Sequence, residues 1–104
     1  MSVYWVYVTT SSPEEARTIG KALVEARLAA CANVVDPIHS FYWWEGRVQE
    51  GRECALILKT KPDLMEALTA TVKAMHSYTC PCVVALPVEA GNTDFLAWVE
   101  QETR

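Results

Sequence analysis

The sequence is short of positive charge: Lys and Arg number 9 against 13 Asp and Glu, for a formal net charge of −4. Nucleic-acid binders need a basic face, so the charge argues against that class. Long apolar runs are also missing. None approaches the roughly 20 residues of a membrane helix, and no membrane partner is expected. No basic n-region or hydrophobic leader opens the chain, since Ser2 leads straight into strand-like residues. That predicts a cytoplasmic protein, in which Cys31, Cys54, Cys80 and Cys82 are thiols. Cys80 and Cys82 are spaced C-x-C, not the C-x-x-C of redox and zinc motifs. With only 4 glycines, there is no Rossmann pattern or phosphate-binding loop, and neither H-E-x-x-H nor a nucleophile elbow occurs. No motif of an enzyme or an organic cofactor is therefore read, and a Cys31–His76 dyad is the one nucleophile–base pair left open, since such partners need only meet in space.

What is present centres on Ile38-His-Ser-Phe-Tyr-Trp-Trp-Glu-Gly-Arg47. An aromatic run, Phe41 to Trp44, abuts a turn marked by Gly46. Apolar stretches flank it, so the region reads as one β-hairpin with arms Asn33 to Trp44 and Arg47 to Lys59. At ~3.3 Å per residue each arm spans roughly 40 Å, about twice a common strand. A chain of 104 residues is predicted to form one domain over 1–104, too small to cover such an arm. The tip should project, and Phe41, Tyr42, Trp43 and Trp44 form an exposed patch of the kind that marks an interface. The turn is either a two-residue loop at Glu45-Gly46 or a type I turn with Gly46 as a left-handed bulge residue. Glu fits φ > 0 poorly, which favours the second.

Upstream, Val3 to Thr9 is β-branched or aromatic on both alternating sets, as in a central strand. Ser12-Pro13-Glu14-Glu15 predicts a helix start with a capping box. Its stripe is Ala16, Ile19, Gly20, Leu23 and the stem of Arg27, and it ends near Leu28. On the return arm Gly51 predicts a bulge, and Cys54 to Thr60 a second central strand. Pro62-Asp63 opens a helix striped by Leu64, Leu68, Thr71, Val72 and Met75, ending near His76-Ser77. Cys82 to Val88, bounded by prolines, reads as an edge strand. Asn92 or Thr93 caps a last helix carrying Phe95, Trp98 and Val99. The order β-α-β-β-α-β plus a helix is the ferredoxin-like split βαβ pattern of an α+β protein. The aromatic strand then lies at an edge that another chain should cover.

His76, at a helix C-terminus, is explained structurally as a cap favoured by the dipole. With Cys80 and Cys82 it also makes a soft N/S donor set, suited to copper or zinc over magnesium. Lys59 reads either as a strand-end charge reaching solvent or as an anion-binding group beside Tyr78.

Arg27-Leu-Ala-Ala-Cys-Ala-Asn33, Ser40-Phe-Tyr-Trp-Trp-Glu-Gly46, Leu56-Ile-Leu-Lys-Thr60, His76-Ser-Tyr78 and Leu86-Pro-Val88 together resemble the CutA divalent-cation-tolerance family. The likeness runs over nearly the whole chain. It implies a homotrimer built like the PII signalling proteins, with clefts between subunits, a link to copper and other divalent cations, and no established enzymatic activity. It also implies a cleft approached by Lys59, His76, Tyr78 and Trp98, with Tyr42 from a neighbour. Its alternative is a PII-like signalling trimer holding a small anionic ligand there. The chain departs from the family's metal-site pattern. Thr10 stands where a Cys closes the first strand, Met75-His76 where a His pair occurs, and Cys82 where many members carry Glu.

Overall fold

The computed structural model describes residues 2–104. Its elements are β1 (Tyr4–Thr10), α1 (Pro13–Glu25), β2 (Cys31–Trp44), β3 (Arg47–Thr60), a 3₁₀ turn (Pro62–Leu64), α2 (Met65–Met75), β4 (Val83–Pro87) and α3 (Thr93–Glu102). The strands pair antiparallel throughout, in the order β2-β3-β1-β4. This is the ferredoxin-like sheet, with β1 and the Cys54–Thr60 half of β3, which hold the sheet's buried positions, at its centre. The β2–β3 hairpin stretches the molecule to 44 × 25 × 22 Å.

Strand parity builds the core. Val6, Val8, Leu56 and Leu58 point to one face of the sheet, where α1 supplies Ala16, Ile19 and Leu23 and α2 supplies Leu68 and Val72. The opposite face carries Trp5 and Tyr7, stacked at 5.9 Å, beside their β4 partners Leu86 and Val84. Val84 and Leu86 are exposed. That face is apolar and uncovered at β4.

Gly20 sets how closely α1 approaches the sheet. A Cβ there would lie 2.9 Å from Leu56 Cδ1 and 3.2 Å from Ala32 Cβ. Gly20→Val is expected to cost about 2–3 kcal/mol through overpacking. Gly20→Ala should cost less, because alanine's helix propensity returns up to about 1 kcal/mol. Urea denaturation of both variants checks the ranking, and a more stable Gly20→Val would refute this packing account.

Four local expectations need correction. The hairpin loop is the two-residue Glu45-Gly46, with φ of 53° and 76°, not a type I turn with a bulge. Pairing of Trp44 with Arg47 imposes a tight loop, and a positive φ at both residues is what that loop requires. The register irregularity falls between Val35 and Ile38, while Gly51 pairs regularly with Ser40. Pro37 has no N–H for the ladder, and the Asp36 carboxylate accepts a bond from the Cys54 thiol at 2.9 Å. Helix α1 stops at Glu25 because Arg27 turns left-handed at φ 64°. Leu28 N–H then bonds to Leu23 O at 2.9 Å. The Arg27 side chain leaves the stripe and pairs with Glu102 at 3.1 Å. Finally, Ser12 caps α1 by accepting from Glu15 N–H at 3.1 Å, but the Glu15 carboxylate reaches past it to Ser11.

Candidate functional site

The segment after α2 is strapped across the ends of three elements. His76 takes an extended backbone conformation, ψ 145°, and ends the helix. Its side chain is wholly buried, at 0% exposure. Ring Nδ1 accepts the Tyr78 N–H at 3.0 Å, and Nε2 lies 2.8 Å from Thr9 O. A carbonyl can only accept, so the pattern assigns the ring proton to Nε2. Both nitrogens are thereby used, in tying the strap to β1.

Glu15 ties the same strap to α1. One oxygen accepts from Ser11 N–H and Oγ–H, both at 2.9 Å. The other accepts from Ser77 N–H at 2.7 Å. Burial alone would raise this carboxyl, but the Ser11 and Ser77 hydrogen bonds to the charged form outweigh it and hold the pKa at about 2. A third tie runs to β3, where Tyr78 O–H donates to Glu53 Oε2 at 2.7 Å. Burial, then this bond and the Glu53 charge, push the Tyr78 phenol well above its usual range.

Between the strap and the outer half of β2 lies a cavity of about 610 Å³, within the range of small-molecule sites. Ser40, Tyr42 and Trp44 line it from alternate positions of β2. Glu53 and Tyr78 line it across from them, with Cys80 and Cys82 from the strap. Burial and the Glu53 charge raise the Cys82 thiol, so it is no ready thiolate. Among the described residues, no lysine or arginine lines this space.

The residues singled out from sequence distribute unevenly over this geometry. Tyr42 and Tyr78 meet in the cavity, with His76 packed behind Tyr78 at a ring-centroid distance of 4.7 Å. Lys59 and Trp98 do not join them within one chain. Lys59 pairs with Trp5 and Cys31 near the other end of the sheet, and its ammonium donates to Asn33 Oδ1. Trp98 packs on Phe95 along α3, at 5.6 Å. The three soft donors do not converge either. His76 presents no free ring nitrogen, and among the described residues no group of three or more His, Cys, Asp or Glu is arranged to hold a metal ion. The residues of one chain therefore do not fit a closed metal site. Glu15 and Glu53 are the site residues that sequence reasoning missed. The capping pattern put Glu15 at the right place but not its reach to Ser77. Glu53 carried no signal beyond its strand parity.

Fold and site define a ferredoxin-like α+β protein with a ligand-sized cavity alongside an over-long hairpin. A family described as CutA1 divalent ion tolerance protein matches residues 4–102, and the chain belongs to this CutA1 family. It is 48% identical over 98 residues to the divalent-cation tolerance protein CutA of Thermus thermophilus, covering 94% of this chain and 95% of that one. It is 46% identical over 97 residues to the Archaeoglobus fulgidus protein of the same name, covering 93% and 94%. Some relatives are longer. The chain spans 56% of the chloroplastic rice protein CutA 1. Among solved structures, the T. thermophilus Cut A1 superposes with a TM-score of 0.96 at 46% identity, over 98% of this chain and 99% of that one. The A. fulgidus structure, called periplasmic, gives 0.93 at 45% identity, over 96% and 97%. Among the described residues, no helix is long and apolar enough to cross a membrane.

Proposed function

We propose that this protein serves divalent-cation tolerance as a homotrimer that binds a soft cation, copper foremost, weakly at its paired thiols. No catalytic step belongs to this reading. The observation that carries it is that Cys80 and Cys82 both line the cavity, where the Glu53 charge is felt at the Cys82 thiol. The relatives' names supply the context of divalent-cation tolerance. Two thiols favour copper(I) or zinc over magnesium. Two ligands leave coordination to be completed by water or by an adjacent subunit. His76 serves here as the pin of the strap, not as a ligand. The anion-binding alternative loses support, because Lys59 lies away from the cavity and Glu53 charges it negatively.

The test is calorimetric titration with zinc and with copper(I), under reducing conditions. The wild type is compared with a Cys80→Ser, Cys82→Ser double variant. The variant is expected to bind at least about tenfold more weakly, since hydroxyls are poor ligands for soft metals. Equal affinity would make both cysteines plain surface thiols and end the metal reading.

A further inference from the structure

The cavity has a second chemical character that soft-metal binding does not use. Trp44 and Tyr42 give it aromatic walls, and Glu53 gives it one fixed negative charge. Tyr78 O–H holds Glu53 Oε2 in place. Among the described residues, Oε1 accepts no hydrogen bond from the chain, as the Tyr78 contact is the carboxylate's only partner. Ser40 and Thr79 add hydroxyls at the wall. With no lysine or arginine in the lining, nothing here neutralises Glu53 or attracts an anion.

An oriented carboxylate beside aromatic faces, with no cationic side chain in the lining, is the charge-reversed counterpart of an anion site. It suits a positive group that can donate hydrogen bonds to the carboxylate while lying against a π face. A bare metal ion uses neither ring. A neutral ligand leaves the charge unanswered. A volume of about 610 Å³ admits a body much larger than an ion.

We propose that the cavity between β2 and the 77–82 strap binds a small organic ammonium cation carrying an aromatic or apolar body. Its ammonium meets Glu53 Oε1, and its body lies against Trp44 and Tyr42. This goes beyond the metal reading and does not depend on it, because neither thiol contributes a bond to the ammonium.

The experiment is calorimetry on the metal-free, full-length protein with three matched probes: 2-phenylethylammonium, 2-phenylethanol and phenylacetate. The ammonium is expected to bind about tenfold or more tightly than the alcohol, and phenylacetate more weakly than either. Glu53→Gln keeps an acceptor for Tyr78 and removes the charge. It should reduce the ammonium-to-alcohol ratio to about twofold or less. Trp44→Leu keeps bulk and removes the π face, and should weaken the ammonium more than the alcohol. The Cys80→Ser, Cys82→Ser variant should bind the ammonium as the wild type does, which separates this site from the metal proposal. Thermal melts confirm that each variant is folded. Phenylacetate binding as tightly as the ammonium, an unchanged ratio in Glu53→Gln, or no ammonium binding by the folded wild type would each overturn the proposal.

Discussion

At micromolar concentration the wild-type chain is expected to scatter light at about three times its 11.6 kDa mass. Replacing Phe41 and Trp43 with Ala is expected to drive it towards the monomer. The hairpin explains the size of the effect. Phe41 and Trp43 are 67% and 75% exposed in the single chain, against 45% and 47% for Tyr42 and Trp44. The difference follows strand parity, since Tyr42 and Trp44 look into the cavity and Phe41 and Trp43 look away. Trp43 also pairs across the hairpin with Val48, which is exposed as well. A tryptophan buried in an interface contributes roughly 1.5–3 kcal/mol, and a trimer loses that at each copy. Arg47→Ala, at the same tip, should change little. Leu86→Asp supplies an independent arm on the uncovered sheet face. A carboxylate forced into an apolar interface costs several kcal/mol unless it finds a partner, so this single change should also favour monomers. A wild type that scatters as a folded monomer would remove the trimer from the proposed function and leave the cavity readings standing.

What could be read from the sequence was what local patterns encode. Ser12-Pro13 announced α1, and the apolar alternation of Cys54 to Thr60 announced a central strand. Together with the two prolines around β4, these give the element order and hence the sheet order. The misreadings arose where a distant or backbone group decides the outcome. Glu45 adopts positive φ because the Trp44–Arg47 pair leaves two residues for the loop. Gly51 looked like the bulge by composition, but the ladder breaks where Pro37 cannot donate. His76 read as a cap or a ligand from its place at a helix end. Its partners are a β1 carbonyl 67 residues away in sequence and a main-chain N–H, neither of which has a side-chain signature. Lys59 and Tyr78 were expected at a cleft between subunits, and within one chain they lie apart. Register places Lys59 opposite Trp5, towards the end of the sheet that the cavity does not occupy.

The Glu15 tie has a large expected effect on the stability of a single chain, and one that depends on pH. Glu15→Ala removes the acceptor for Ser11 N–H, Ser11 Oγ–H and Ser77 N–H at once. Hydrogen bonds to a charged group contribute more than neutral ones, and a donor left without a partner adds its own penalty where it cannot reach water. Ser11 and Ser77 are both exposed, so water recovers part of the loss. The expected cost is about 2–3 kcal/mol, measured by urea denaturation at pH 7. The pH dependence follows from the direction of the shift. In the folded protein the Glu15 pKa falls to about 2 from a reference value of 4.5, so the unfolded chain takes up the proton first. Glu15 therefore stabilises the fold fully above about pH 4.5, and that contribution fades as pH falls towards 2. The gap between wild type and Glu15→Ala should be widest at neutral pH and narrow steadily through that acid window. His76 lies 3.8 Å from Glu15 through Nδ1, but that nitrogen already holds the Tyr78 N–H. The imidazole should therefore survive the substitution in place, with the Ser77 end of the strap loosening first. Hydrogen exchange at Ser77 should accelerate before exchange at Tyr78, whose amide His76 still holds. A gap that stayed constant from pH 7 to pH 2.5 would show that the Glu15 charge does not clamp the strap.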